Sequence, residues 1–233
     1  LGTIVSEVRW RRGAVEVDTR SAEGKVETFS AAQAIITLPL GVLKASESAP
    51  GAVRFTPALS DKRPALEHLE MGAILRLVFS FDVEFWPVPD LSFLHDPAGL
   101  FPIWWSRAPM RAPLLTGWVG GPRAAALGAD EPDRILQRAI DSLGHALGMD
   151  PATVRSHLRE THYHDWIADP FSRGAYSYVA VGGLGAQAKL GAPVAGTLFF
   201  AGEATQSDGN LGTVHGAIAS GHRSAREALE AHR

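Results

Sequence analysis

The residues best suited to chemistry lie near the C-terminus. Leu198-Phe199-Phe200-Ala201 reads as a buried strand that runs into Gly202 and Glu203, and Gly212-Thr213-Val214-His215-Gly216-Ala217 then opens a helix. A glycine at the end of a strand lets backbone approach a bound molecule, because no Cβ intervenes. An acid at the carboxyl end of such a strand stands where open α/β sheets place their ligands. A helix N-terminus offers free N–H groups to an electron-rich partner such as a flavin carbonyl or a phosphate. The same residues also have a purely structural reading, in which the glycines only permit tight helix packing and Glu203 is a surface acid. The residues alone leave both open. A second group is His162, His164 and Asp165. Two histidines at i and i+2 share a strand face and could ligate zinc, although no third ligand is evident nearby.

These groups need elements to position them. Thr3 to Trp10, Ala14 to Thr19 and Lys25 to Phe29 alternate or carry β-branched side chains, with Gly13 and Gly24 as turn points, and predict a meander. Ala34 to Leu38 is a nearly continuous apolar run, which predicts a strand buried on both faces and ended by Pro39. Ser60 is placed to N-cap a short helix over Asp61 to His68. Ile74 to Phe81 is a further strand, and Phe85 to Pro122 alternates short strands with turns. Asp130 and Glu131 precede a helix from Arg134 to Leu147, with acids at its positive end. Val154 to Trp166 reads as extended. Thr197 to Ala201 is a buried strand, and Thr213 to Ala231 is a helix. Helices and strands mixed in this order predict an α+β fold, partly α/β.

Composition narrows the function. A 233-residue chain that is 45% hydrophobic and 20% charged can bury one or two cores. Its formal charge of -3 carries no basic stripe and argues against a nucleic-acid partner. No apolar run reaches the roughly 18 residues that span a bilayer, and no signal peptide is visible at the first residues. A soluble chain in the cytoplasm is the expectation. Cysteine is absent, which excludes disulfides and thiolate chemistry.

Several segments then carry a family resemblance in the same order along the chain. Ala201-Gly202-Glu203-Ala204-Thr205 with Gly212-Thr213-Val214-His215-Gly216-Ala217 resembles the C-terminal flavin-contacting segment of the flavin-containing amine oxidoreductases. That family includes monoamine oxidases, polyamine oxidases and flavin-dependent lysine-specific histone demethylases. Thr37-Leu38-Pro39-Leu40-Gly41-Val42-Leu43-Lys44 is similar to its strand crossing into the substrate domain, and Phe81-Asp82-Val83-Glu84-Phe85-Trp86 to its acidic-aromatic turn. Trp166 to Tyr178 is similar to its Trp-x-x-Asp-Pro-x-x-x-Gly-x-Tyr stretch. The resemblance implies FAD-dependent oxidation of a small-molecule amine by hydride transfer to flavin N5. It places Gly202 and Glu203 by the ribityl and pyrophosphate part of FAD, and the backbone of Thr213 and Val214 near the isoalloxazine. It packs Trp166 against the ring system and turns Tyr176 to the amine as an aromatic wall. The alternative for both aromatics is a core cluster.

The sequence departs from the family in three ways. No Gly-x-Gly-x-x-Gly with its strand and helix occurs, so the main site for the ADP half of FAD is missing. Gly183-Leu184-Gly185-Ala186-Gln187-Ala188 imitates it loosely, but Gly191 and Pro193 predict no room for the helix. The expectation is a piece of a longer enzyme that lacks its N-terminal FAD-binding segment and does not by itself keep FAD bound. Arg76 stands where many relatives have a lysine that binds a water beside flavin N5, and arginine is larger, planar and always charged. Thr213 stands where monoamine oxidases have a second cage tyrosine. The expected division is an FAD-domain remnant over 1–72, a mixed-sheet substrate-binding domain over 73–184, and the C-terminal strand and helix of a Rossmann-like FAD domain over 185–233. Competing readings are a flavin-dependent desaturase or porphyrinogen-type oxidase, and an inert binding module with an oxidase-like fold.

Overall fold

In the computed structural model, which describes residues 2–128 and 130–232, the chain opens with an antiparallel hairpin of β1 (Thr3–Arg11) and β2 (Ala14–Ser21). Gly13 makes its turn at φ +74. β3 (Val26–Ala31) pairs with β2. Then follow β4 (Ala34–Ile36), α1 (Leu40–Leu43), β5 (Arg54–Thr56), a 3-10 turn over Ser60–Lys62, α2 (Arg63–Glu67) and β6 (Leu69–Met71). β5 adds to β1 in parallel, giving a mixed sheet ordered β3-β2-β1-β5.

The chain next forms β7 (Ile74–Phe81), β8 (Phe93–His95), β9 (Ile103–Trp105), β10 (Leu114–Gly120), α3 (Pro122–Leu127), α4 (Pro132–Leu147), α5 (Pro151–His157) and β11 (Leu158–Tyr163). The last elements are β12 (Ser177–Val179), α6 (Ala186–Gly191), β13 (Leu198–Phe200) and α7 (Val214–Ala231). β12 pairs antiparallel with β6, and β13 pairs parallel with β4. The architecture is α+β. It divides into two units: one from the residues up to Gly72 and from Asp169 on, the other from Ala73–Ala168. No helix among the described residues is long and apolar enough to cross a membrane.

The second unit is built on an antiparallel sheet ordered β11-β7-β10-β9-β8. β7 shows why: Leu75, Leu77, Phe79 and Phe81 are buried on one face, while Arg76 is exposed and Val78 and Ser80 are only partly covered on the other. α4 meets the buried face with Ile135, Ala139, Ile140 and Leu143, spaced to share one side of a helix. Gly148, in the left-handed region at φ +67, closes that helix. In the first unit, Val8 and Val15 of the hairpin pack with Ile36, Leu198 and Phe200.

Several sequence expectations change here. Ser60 does not cap a helix; its Oγ donates to the Ala58 carbonyl and the backbone there turns as a 3-10 segment before α2. Val154 to Trp166 is not uniformly extended, because α5 takes its first part. Asp150 caps that helix by accepting from the Ala152 N–H, and Pro151 supplies its first residue. β4 is not buried on both faces: Ile36 is buried, but Ile35 is 44% exposed. A helix does follow Gly183-Leu184-Gly185, but α6 is six residues long.

One contact in the second unit is unusually tight. Gly117 of β10 pairs directly with Trp104 of β9, and a Cβ at Gly117 would stand 2.7 Å from the indole. Trp104 is fully buried and packs against Phe79 and Phe101, so the ring has nowhere to retreat in a close-packed interior. Gly117→Ala should therefore destabilise the protein by about 1–3 kcal/mol, the usual cost of overpacking. Denaturant unfolding measures this, and wild-type stability in the variant would refute the account.

Candidate functional site

In the first unit, β13 is wholly buried and delivers the chain to Gly202. Gly202 has φ +123 and ψ 164, a conformation essentially reserved for glycine. The position a Cβ would take meets no atom within 4 Å, so the backbone borders open space. The Gly202 N–H donates to Ser220 Oγ at 2.9 Å, and its carbonyl accepts from Thr205 Oγ1 at 2.9 Å and the Thr205 N–H at 3.1 Å. Two residues earlier in the path, the Phe200 carbonyl accepts from Arg223 Nη2 at 2.8 Å and Ser224 Oγ at 2.7 Å. Gly216, Ser220 and Ser224 form a buried stripe at four-residue spacing on α7. Small side chains there let the helix lie close to β13, where Ser224 bonds to the strand and Ser220 to Gly202 just beyond it.

Glu203 follows in a 3-10 turn over Glu203–Thr205. Its carboxylate accepts from the Ser177 N–H at 3.1 Å, from Ser177 Oγ at 2.7 Å and from the Gly212 N–H at 2.9 Å. Gly212 has φ +72, and a Cβ on it would lie 3.3 Å from Cδ2 of Tyr176. Thr213 caps α7. Its Oγ1 accepts from the Gly216 N–H at 3.1 Å and donates to the Asn210 carbonyl at 2.7 Å. The hydroxyl's one proton is thus committed to the Asn210 carbonyl. The Asn210 carbonyl would stand 2.1 Å from a Cβ at Gly216, which explains the glycine there. Val214, first in α7, is 79% exposed. Tyr176 is 42% exposed and belongs to no core.

Lys62 also touches β13. It is 2% exposed, lies over the Phe200 ring at 4.5 Å, and donates from Nζ to the Lys189 carbonyl at 2.9 Å and to the Ala192 carbonyl. Burial, with the Arg223 charge nearby, pushes this ammonium down from its ordinary 10.5 to about 8.

In the second unit, Arg76 projects from the face of β7 away from the core. Its guanidinium carbon is 6.0 Å from the centroid of the Trp105 ring, within reach of a cation–π contact. Trp166 is 44% exposed and meets His164 edge to face at 4.3 Å. Asp165 fixes the turn after it by accepting from the N–H groups of Ile167 and Ala168 at 2.9 and 3.0 Å. Trp166 belongs to none of the buried clusters among the described residues. His162 Nε2 lies 3.3 Å from Glu160, and no group of three or more metal-binding side chains occurs among the described residues. Gly202, Glu203, Thr213, Val214 and Tyr176 belong to the first unit, Arg76 and Trp166 to the second. Sequence reasoning missed Ser177, Ser220 and Ser224. The serines of α7 had a legible spacing; Ser177 had none.

Comparison with known proteins gives a consistent result. The family described as flavin containing amine oxidoreductase matches residues 1–229. Lysine-specific histone demethylase 1 homolog 3 of Arabidopsis thaliana is 32% identical over 240 residues, covering 97% of this chain and 14% of that protein. Polyamine oxidase 1 of Oryza sativa subsp. japonica is 29% identical over 276 residues, covering 100% and 52%. A solved putrescine oxidase bound to putrescine shares the fold with a TM-score of 0.76 at 17% identity, covering 97% of this chain and 48% of that one. The chain therefore corresponds to only part of each of these proteins.

The Lys62 environment yields a pH test. At neutral pH both folded and unfolded chains hold the proton, and burial of the charge counts against folding. Between about 8 and 10.5 the unfolded chain binds more protons than the folded one, so the contribution of this group to stability rises with pH. The stability of wild type relative to Lys62→Met should therefore increase as pH is raised through about 8. A difference that stays flat or falls would contradict the burial of a charged lysine.

Proposed function

Because the chain belongs to the flavin containing amine oxidoreductase family, we propose that it forms part of an FAD-dependent enzyme that oxidises an amine. The observation that carries this reading is the open cradle at Gly202, where a backbone reserved for glycine borders space that no side chain fills. Beside it stands the capped first turn of an 18-residue helix, whose positive end suits the pyrimidine oxygens of a flavin. These residues fit the flavin half of FAD. The pyrophosphate has no Gly-x-Gly-x-x-Gly turn in this sequence, so its hold comes from elsewhere in the enzyme. When bound, the flavin supplies the acceptor for the hydride that leaves the carbon next to the amine nitrogen.

The chain's own residues hold, orient and dry the site. Gly202 and the backbone of Thr213 and Val214 border the cofactor. Tyr176 supplies aromatic surface that strips water from the substrate. An apolar wall raises the cost of a charged ammonium and so favours the neutral amine whose lone pair assists oxidation. Thr213, with a small side chain already committed to capping, leaves the pocket wide and with a single tyrosine wall. Similarity to a polyamine oxidase supports an aliphatic amine as substrate.

Two outcomes test the reading. Tyr176→Ala in the flavin-loaded enzyme should cut kcat/KM roughly tenfold or more, because losing a close transition-state contact costs about 1.4 kcal/mol or above. Flavin content should not change; unaltered kinetics with reduced thermal stability would remove Tyr176 from the site. Arg76 should matter for the response to oxygen, since a fixed positive charge stabilises an anion formed nearby and a lysine is the more compact donor. Oxygen uptake at saturating amine should fall in Arg76→Met and rise in Arg76→Lys, while anaerobic bleaching by amine stays unchanged. Equal uptake in all three proteins would place Arg76 outside the site.

A further inference from the structure

We propose that Arg173 is a positioning residue, whose side chain fixes the strained turn that presents Tyr176. The role of Tyr176 rests on the amine-oxidising reading above; the geometry does not. Arg173 has φ +56, in the left-handed region that non-glycine residues seldom enter. Its guanidinium donates from Nη2 to the Pro50 carbonyl, 123 residues away in sequence. Its Nε is buried and has no hydrogen-bond partner among the described residues. Two costs therefore meet at one residue, because a left-handed backbone strains any side chain with a Cβ and a buried unpaired donor is unfavourable. A glycine here would remove both. Outliers of this kind persist where their surroundings over-determine them, and they cluster at functional sites.

The surroundings are close on every side. The turn begins at Asp169, whose carbonyl accepts from the N–H groups of Ser172 and Arg173 at 3.2 and 2.9 Å. The Asp169 Oδ1 accepts from the Phe171 N–H at 2.7 Å. α1 passes the turn at Gly41, where a Cβ would stand 2.7 Å from both the Arg173 Cβ and the Ser172 oxygen. A second segment passes at Gly51, where a Cβ would stand 2.5 Å from the Pro170 oxygen. Arg173 bonds to the residue just before that glycine, and so closes the turn against this segment. Past Arg173 the chain leaves through Gly174 at φ +135, against Met71. It then pairs with Gly72: the Ala175 N–H donates to the Gly72 carbonyl at 3.0 Å, and the Gly72 N–H to the Tyr176 carbonyl at 2.8 Å. Tyr176 belongs to no buried cluster among the described residues. Its backbone places it, and Arg173 anchors that backbone three residues upstream.

Glycine and lysine at position 173 separate an anchor from a mere turn residue. In the flavin-loaded enzyme, Arg173→Gly relieves the backbone but removes the anchor, so it should fold and keep its flavin. Its kcat/KM should fall about three- to tenfold, no further than in Tyr176→Ala, and the double variant should be no worse than Tyr176→Ala alone. Arg173→Lys, which can still donate to the Pro50 carbonyl, should recover most of the loss. Hydrogen exchange of peptides covering residues 50–52 and 174–177 should accelerate in Arg173→Gly and return toward wild type in Arg173→Lys. Where Arg173→Gly does not fold, Arg173→Asn takes its place, since asparagine tolerates the left-handed region. Wild-type kinetics and exchange in the glycine variant, equal losses in the glycine and lysine variants, or losses that multiply with those of Tyr176→Ala would each overturn the proposal. If wild type oxidises no amine, the function fails while the exchange measurement still decides whether Arg173 holds the turn.

Discussion

The end of β13 is held by more hydrogen bonds than a strand terminus requires. Arg223 and Ser224 of α7 share the Phe200 carbonyl, Ser220 takes the Gly202 N–H, and Lys62 lies over the Phe200 ring. A backbone at φ +123 and ψ 164 is sparsely populated and persists only where its surroundings over-determine it. Here they do. The direction in which Gly202 leaves the strand decides where the turn at Glu203 lies, and that turn in turn reaches Ser177 and Gly212. The arrangement of α7, Tyr176 and the open side of Gly202 thus descends from one anchored strand end.

Anchoring of this kind explains why α7 carries serines and a glycine where a packed helix commonly carries leucine. Gly216, Ser220 and Ser224 give up apolar area that larger side chains would bury. They gain a close approach to β13 and hydroxyls that satisfy backbone groups at a strand end, where unpaired groups are costly. The second unit takes the opposite course. Its core is large and aromatic, with Phe79, Phe81, Phe101 and Trp104 filling the space between sheet and helix. The first unit has smaller clusters, and its polar bonds carry more of the specification.

The regular elements were legible because their periodicity is local. Ile74 to Phe81 alternates, Leu198 to Phe200 is continuous and apolar, and the last helix begins beside Thr213, where it was expected. Ser60 had the right type for a cap but found the Ala58 carbonyl as a closer partner, a competition open to every short hydroxyl side chain. Asp150 and Pro151 start a helix whose later residues, from Val154 on, have extended character in sequence. Ile35 looked buried because apolar runs suit covered parallel strands; the face of β4 that carries it is open instead. The candidate site was legible in its residue types and not in its bonds. Glu203, Ser177 and Gly212 meet only through tertiary folding, and no spacing announces such a meeting.

The glycine facing Trp104 has a bearing on how this sequence can drift. Positions 104 and 117 share one volume, so neither can vary by itself without an overfilled or a hollow sheet. A lineage that enlarges residue 117 must first shrink residue 104 and pass through a protein with a cavity, or enlarge first and pass through a strained one. Both routes cross a less stable ancestor. The pair is therefore expected to be inherited jointly, and homologous sequences should show it as linked substitutions or as none.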